Sequence, residues 1–226
     1  ALADMIGNVA HHWRQPLSVI TTAITGLKIK GEFGTPIVQE DISAVNDIVV
    51  KTAQNLSDTI NVFEDLMKEG KQESFNISKT IKSSIELLNI ANKNFDCNFE
   101  FKLDEKLEIL GVESELSQVV INILTNSCEA FERKNIEKKI VQIKLERIEN
   151  NICLNIIDNA GGVEDSIIDK IFDPYFTTKH KFQGTGLGLF VCSQIVIEHF
   201  HGNITCENIL KDDEKGCRFL ITFPIL

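Results

Sequence analysis

From Leu2 to Leu27 the apolar residues recur in steps that alternate four and three: Leu2, Ile6, Val9, Trp13, Pro16, Ile20, Ala23 and Leu27. A helix with one buried stripe satisfies that spacing, and the alternation is that of a heptad seam. Gly31-Glu32-Phe33-Gly34-Thr35-Pro36 interrupts it, with Pro36 suited to a first helical turn. A second seam runs through Val38, Ile42, Val45, Val49, Thr52, Leu56, Ile60, Phe63 and Met67. Two helices of similar length on a short turn make an antiparallel hairpin. A lone hairpin buries little, so the spacing predicts a second copy against the stripe, giving a dimeric four-helix bundle.

Lys68 to Ser74 is charged and polar and reads as a linker, after which the pattern changes. Ile77 to Ala91 is helical in spacing, with Ser78 a candidate N-cap. Phe99 to Leu103 alternates as a strand, and Glu115 to Phe131 is a strongly apolar helix. Val141–Leu145 and Ile152–Ile157 form a hairpin across Glu149-Asn150-Asn151, and Asn203–Cys206 and Cys217–Phe223 add two strands. The expected fold is α+β: a helical hairpin over residues 1–70, then an α/β sandwich over 71–226, with sheet on one side and helices on the other.

A net charge of −10 argues against nucleic acid as the main ligand, which favours a basic surface. No stretch approaches the ~20 apolar residues that span a bilayer. Ala1 begins inside a helical pattern without a signal peptide, so the chain reads as an excised cytoplasmic piece. Any membrane anchor, at the inner membrane, would belong to an N-terminal part of the parent protein outside this chain. Six cysteines (Cys97, Cys128, Cys153, Cys192, Cys206, Cys217) show no C-x-x-C spacing and read as reduced packing residues.

Chemistry concentrates in a few places. Gln183-Gly184-Thr185-Gly186-Leu187-Gly188-Leu189 sets three glycines at alternate positions before an apolar helical stretch. Such a loop can bring its amides against a polyphosphate, although glycine-rich loops are often only turns. Asn122 and Asn126 stand at i and i+4 on one helix face, against the apolar stripe. Two inward amides are costly without polar partners, so they call for a polar guest or a water-filled space. Asp158-Asn159-Ala160-Gly161-Gly162 ends a strand in a turn. Lys179 and Lys181 concentrate positive charge in an acidic chain and suit phosphate oxygens. In His11-His12-Trp13-Arg14-Gln15-Pro16-Leu17, His11 falls on the outermost heptad position. Pro16 cannot donate to the His12 carbonyl and bends the helix there, so an exposed imidazole can meet an electrophile. Adjacent helical positions point about 100° apart, which rules out chelation by His11 and His12. His199 and His201 read as surface or packing residues.

These segments, in this order, resemble the boxes of sensor histidine kinases over essentially the whole chain. Ala10 to Leu17 resembles the H box in its W-R-Q-P-L variant, with His11 matching the phosphoacceptor. The family usually has an acidic residue next; here His12 stands there, and its neutral ring or a water would take the proton. Gln15 holds the place of the residue that orients a water for phosphatase action. Asn122 and Asn126 match the N box, which implies Mg²⁺ ligation by Asn126 and a metal–phosphate contact from Asn122. Asp158 and Gly162 match the first glycine box, Asp158 accepting the adenine amine, with Ala160 in place of its first glycine. Phe172 to Lys179, including Thr178, resembles the F box, and Gly184, Thr185, Gly186, Leu187, Gly188 and Leu189 match the second glycine box. The short lid, T-T-K…G-T-G-L-G-L, is similar to that of nitrogen-regulation and dicarboxylate sensors. Gly216-Cys217-Arg218-Phe219 resembles the last strand lining the nucleotide pocket.

The resemblance implies a homodimer that phosphorylates His11 from Mg²⁺–ATP and passes the phosphoryl group to an aspartate of a response-regulator receiver domain. A neutral imidazole nucleophile implies activity that falls below pH ~6.5. Two alternatives stand beside it. Gyrase- and chaperone-type ATPases carry a water-activating glutamate where this chain has Asn122. A scaffold or phosphatase without autokinase activity is suggested by His12 and Ala160.

Overall fold

The structure, a computed structural model, describes the backbone of residues 2–67, 70–91, 97–178, 186–211 and 214–225. Among these, the side chains of residues 2–13, 15, 55, 58–59, 61–67, 91 and 211 are outside the description. The chain separates into two compact units, one built on Ala1–Lys68 and the other on Glu69–Phe176 with Gly186–Leu226.

The first unit is a helical hairpin, α1 (Leu2–Glu32) and α2 (Gln39–Met67). The seam closes over its middle: Pro16, Ile20, Ala23 and Leu27 on α1 and Val45, Val49 and Leu56 on α2 are half-buried, whereas Val38, Ile42 and Ile60 of the predicted second seam are exposed. Thr52 is fully buried, its hydroxyl donating to the Ile48 carbonyl at 2.6 Å. Pro36 does not open α2. It lies in the connection, and the first turn is organised by Asp41, whose carboxylate accepts the Val38 amide at 3.0 Å and pairs with Lys30. The Lys30 ammonium holds the Asp41 carboxyl below the usual carboxylate range. Leu17 and Ile24, one heptad apart, are 52% and 51% exposed, so the hairpin keeps a second apolar stripe uncovered.

The second unit is a two-layer α/β sandwich. Its five-stranded mixed sheet runs in the order β2 (Asn98–Leu103), β4 (Ile140–Ile148), β5 (Asn151–Asp158), β7 (Glu214–Pro224), β6 (Asn203–Lys211). Only β2 and β4 are parallel. A separate antiparallel pair joins β1 (Glu73–Asn76) to β3 (Glu108–Gly111). Among the described residues three α-helices complete it, α3 (Ile77–Ala91), α4 (Glu113–Lys134) and α5 (Gly188–Gln194), the last continued by a π-turn over Ile195–His199, together with a single 3-10 turn at Ile168–Lys170. Alternation along β4 buries Val141, Ile143 and Leu145, and α4 presents Leu116, Val119, Val120, Ile123, Leu124 and Phe131 to the core. Burying such side chains stabilises the sandwich by roughly 1.5–3 kcal/mol each.

Two short strands, β1 and β3, lie where the sequence reads as linker or loop; β1 takes in part of the polar Lys68–Ser74 stretch. Ser78 is not the cap of α3. The Asn76 side-chain oxygen accepts the Lys79 amide at 2.9 Å, while Ser78 donates to the Asp104 carbonyl.

Candidate nucleotide site

The second unit's polar centre sits where α4, the end of β5 and the start of β7 converge. Asp158 closes β5, is 6% exposed, and engages three donors among the described residues. Its Oδ1 accepts the amides of Ala160 at 2.9 Å and Cys217 at 3.2 Å, and its Oδ2 accepts the Ser127 hydroxyl at 2.7 Å. A carboxylate offers about four lone-pair positions, so one acceptor position remains, on Oδ2. A buried charge is tolerated only with such partners.

The turn after Asp158 is locked from both sides. Asn159 accepts the Ile140 amide at 2.9 Å and donates to the Lys138 carbonyl and the Glu214 carboxylate. Gly161 and Gly162 take positive φ values of 76° and 68°, which glycine adopts without steric cost. Ala160 has no positive φ and is 2% exposed, so alanine fits where the resemblance expects glycine.

Asn122 and Asn126 are both half-buried beside the buried stripe of α4. Asn122 donates to the Gly188 carbonyl at 3.3 Å, fastening α4 to the start of α5 and leaving its own oxygen as the acceptor. Gly186 has a φ of 66°, and a Cβ there would lie 2.6 Å from the Tyr175 carbonyl oxygen and 2.8 Å from that of Phe176. Only glycine permits that approach of two backbone segments. Leu187 is buried in the core, so a ligand would meet its backbone, whereas Gly188 and Leu189 are half-buried. Phe172 packs edge-on against Phe219, and Thr178 is exposed.

The structure therefore brings Asn122 near Gly188 and gathers Asp158 with Ser127, Ala160 and Cys217. Lys179, Gly184 and Thr185 lie outside the described residues; His11, His12 and Gln15 lie on α1 with their side chains outside them. Sequence reasoning missed Ser127. A hydroxyl among the apolar positions of α4, next to Asn126, was the signal. It also missed that His199 bonds Glu115 through Nδ1 at 2.9 Å, which ties the π-turn to α4.

No group of three or more His, Cys, Asp or Glu side chains is placed to hold a metal ion among the described residues. A metal here would rely on amide oxygens together with ligand oxygens, a donor set that suits Mg²⁺. None of the described helices is long and apolar enough to cross a membrane.

Comparison with known proteins agrees with this architecture. Residues 111–226 match the family described as histidine kinase-, DNA gyrase B-, and HSP90-like ATPase. The chain is 30% identical over 227 aligned residues to sporulation kinase B of Bacillus subtilis, covering 99% of this chain and 50% of that protein. It is 27% identical to the signal transduction histidine-protein kinase AtoS of Escherichia coli, covering 99% of this chain and 35% of that protein. The chain thus spans half or less of these curated relatives. Among solved structures, the catalytic domain of histidine kinase ThkA superposes with a TM-score of 0.58 at 27% identity, covering 68% of this chain and 95% of that one. ThkA in complex with the response regulator protein TrrA gives a TM-score of 0.67 over 100% of this chain and 62% of that one, a likeness of fold at 23% identity.

Proposed function

Because the chain belongs to the histidine kinase-, DNA gyrase B-, and HSP90-like ATPase family, we propose that it is the catalytic core of a two-component sensor histidine kinase. Residues 1–70 form its dimerisation and phosphotransfer hairpin and residues 71–226 its ATP-binding domain. The observation that carries the reading is the buried Asp158 carboxylate, with three donors and one acceptor position to spare. A single N–H donor on a flat base, the 6-amine of adenine, fits that vacancy. The backbone around Gly186 to Gly188 supplies amides to the phosphates, and Lys179 supplies charge.

Asn126, with Asn122, would hold Mg²⁺ through side-chain oxygens; the ion would neutralise charge on the nucleotide's phosphates. The neutral imidazole of His11 attacks the γ-phosphorus, the bond to the β–γ bridging oxygen breaks, and ADP leaves. The imidazole proton passes to His12 or to water. Catalysis is mostly positioning and charge neutralisation. The phosphohistidine then transfers its phosphoryl group to an aspartate of a response-regulator receiver domain. The uncovered stripe at Leu17 and Ile24 supports a homodimer, in which a second hairpin would bury it. Such a kinase works where ATP is abundant, in the cytoplasm.

Incubation with γ-labelled ATP and Mg²⁺ tests the reading. Acid-labile, base-stable label is expected on the chain and absent from His11→Ala. Nucleotide binding without any label would leave a scaffold or phosphatase instead, and steady ATP hydrolysis without label a simple ATPase.

A further inference from the structure

We infer that Ser127 sets the base selectivity of the nucleotide site, acting as a positioning residue on Asp158. The inference rests on the reading of Asp158 as the acceptor of the purine amine. Two of the carboxylate's three donors are backbone amides, fixed by the turn and by β7. Both bind Oδ1, so they leave the occupancy of Oδ2 open. Among the described residues Ser127 alone acts there, at 2.7 Å, from a side chain 2% exposed on α4. Its single proton has a competing acceptor, the Ile123 carbonyl at 3.3 Å, but the shorter bond to an ionised oxygen takes it.

The consequence lies in the count of vacancies. With Ser127 in place, Oδ2 has one open lone pair and the carboxylate plane is pinned. One N–H fits, and a 6-oxo group or a bare C–H does not. Without the hydroxyl, Oδ2 has two open positions, and a water can enter to satisfy whatever the base presents. Selectivity then relaxes even though Asp158 is still present. The neighbouring Asn126 shows how economical the arrangement is: consecutive residues of one helix would serve the metal end and the base end of the same nucleotide.

The test compares dissociation constants for ATP and for purine riboside triphosphate, which lacks the 6-amine, by calorimetry on the whole chain. The wild-type chain is expected to prefer ATP about tenfold or more, the worth of one hydrogen bond to a buried charge. Ser127→Ala should bring the two ligands within about threefold, and Ser127→Thr, which keeps the hydroxyl, should restore the preference. A merely structural role would weaken both nucleotides equally, so an unchanged ratio in Ser127→Ala overturns the inference. If that variant does not fold, Ser127→Cys, a near-isosteric weak donor, takes its place with the same expected collapse. Asp158→Asn separates the two levels. If it too leaves the ratio unchanged, Asp158 is not the base acceptor; if it alone abolishes the ratio, only the role of Ser127 fails.

Discussion

Replacing Asp158 by asparagine should separate ligand binding from folding, and the structure says why. The amides of Ala160 and Cys217 both point at Oδ1, so the asparagine must place its oxygen there and its NH₂ where Oδ2 now lies. Ser127 can adapt, because turning its proton toward the Ile123 carbonyl lets its oxygen accept the new N–H. The empty protein therefore keeps every polar atom partnered and loses only the charge-assisted share of its bonds, about 1 kcal/mol. For a chain of this size that lowers the thermal midpoint by roughly 2–4 °C. An adenine amine arriving at the site instead meets an N–H donor. It loses a bond to a charged acceptor worth about 1.5–3 kcal/mol and leaves an unpaired donor costing about 1–3 kcal/mol. Together these weaken ATP or ADP binding by roughly sixtyfold to twenty-thousandfold. Calorimetric titration gives the affinity, and circular dichroism melting gives the stability. Binding within threefold of the wild-type value would refute the assignment of Asp158. A midpoint that fell by more than ~10 °C would refute the argument that Ser127 compensates.

Gly186→Ala places a side chain at a φ of 66° and against the Tyr175 and Phe176 carbonyls, so it should cost about 1–2 kcal/mol from conformation alone and weaken nucleotide binding. Gly26→Ala, in the exposed middle of α1 with nothing near its Cβ position, is the control and should raise the melting midpoint slightly. Asp41 titrates below the ordinary carboxylate range because Lys30 pairs with it, so its contribution is complete above pH ~4 and vanishes as pH falls through the depressed value. The helical melting midpoints of the wild-type chain and Asp41→Asn should therefore converge on acidification; a gap of constant width would refute the pairing.

Much of the fold is legible because burial imposes periods. The four-three alternation that predicts α1 and α2 is the one whose residues Ile20, Ala23, Leu27, Val45 and Val49 are half-buried in the hairpin, and the β4–β5 pairing follows from alternation across Glu149. What escapes is short or decided at a distance. β1 is four residues of mixed polarity, and only its pairing with β3, over thirty residues on, makes it a strand. The cap of α3 went to Asn76 over Ser78 because Ser78 found a partner at Asp104, which no local pattern announces. Pro36 has the chemistry of a first helical turn, yet Asp41 reaches back to organise the Val38 amide and so starts α2 later. The site divides in the same way. Asp158 and the asparagine pair stand out locally, whereas Ser127 gains meaning only once β5 lies beside α4.

That geometry also bears on how far the chain departs from the pattern of the kinases it resembles. Two departures suggest a member that has given up autophosphorylation: Ala160 for a glycine and His12 for an acid. The first has no structural consequence. The positive φ angles of the turn fall on Gly161 and Gly162, and Ala160 contributes its amide to Asp158 as any residue would. A methyl group buried to 2% exposure adds apolar contact beside the carboxylate and removes nothing from it. In the proposed reading only His12 then changes the chemistry, by setting an imidazole, which accepts a proton only while neutral, where the family has a carboxylate. A kinase working through it should lose labelling more steeply on acidification than one nucleophile alone requires, because His11 and His12 would both need to be unprotonated. A second-order fall in the initial rate of labelling between pH 7 and pH 5.5 supports His12 as the proton acceptor, and a first-order fall assigns that task to water.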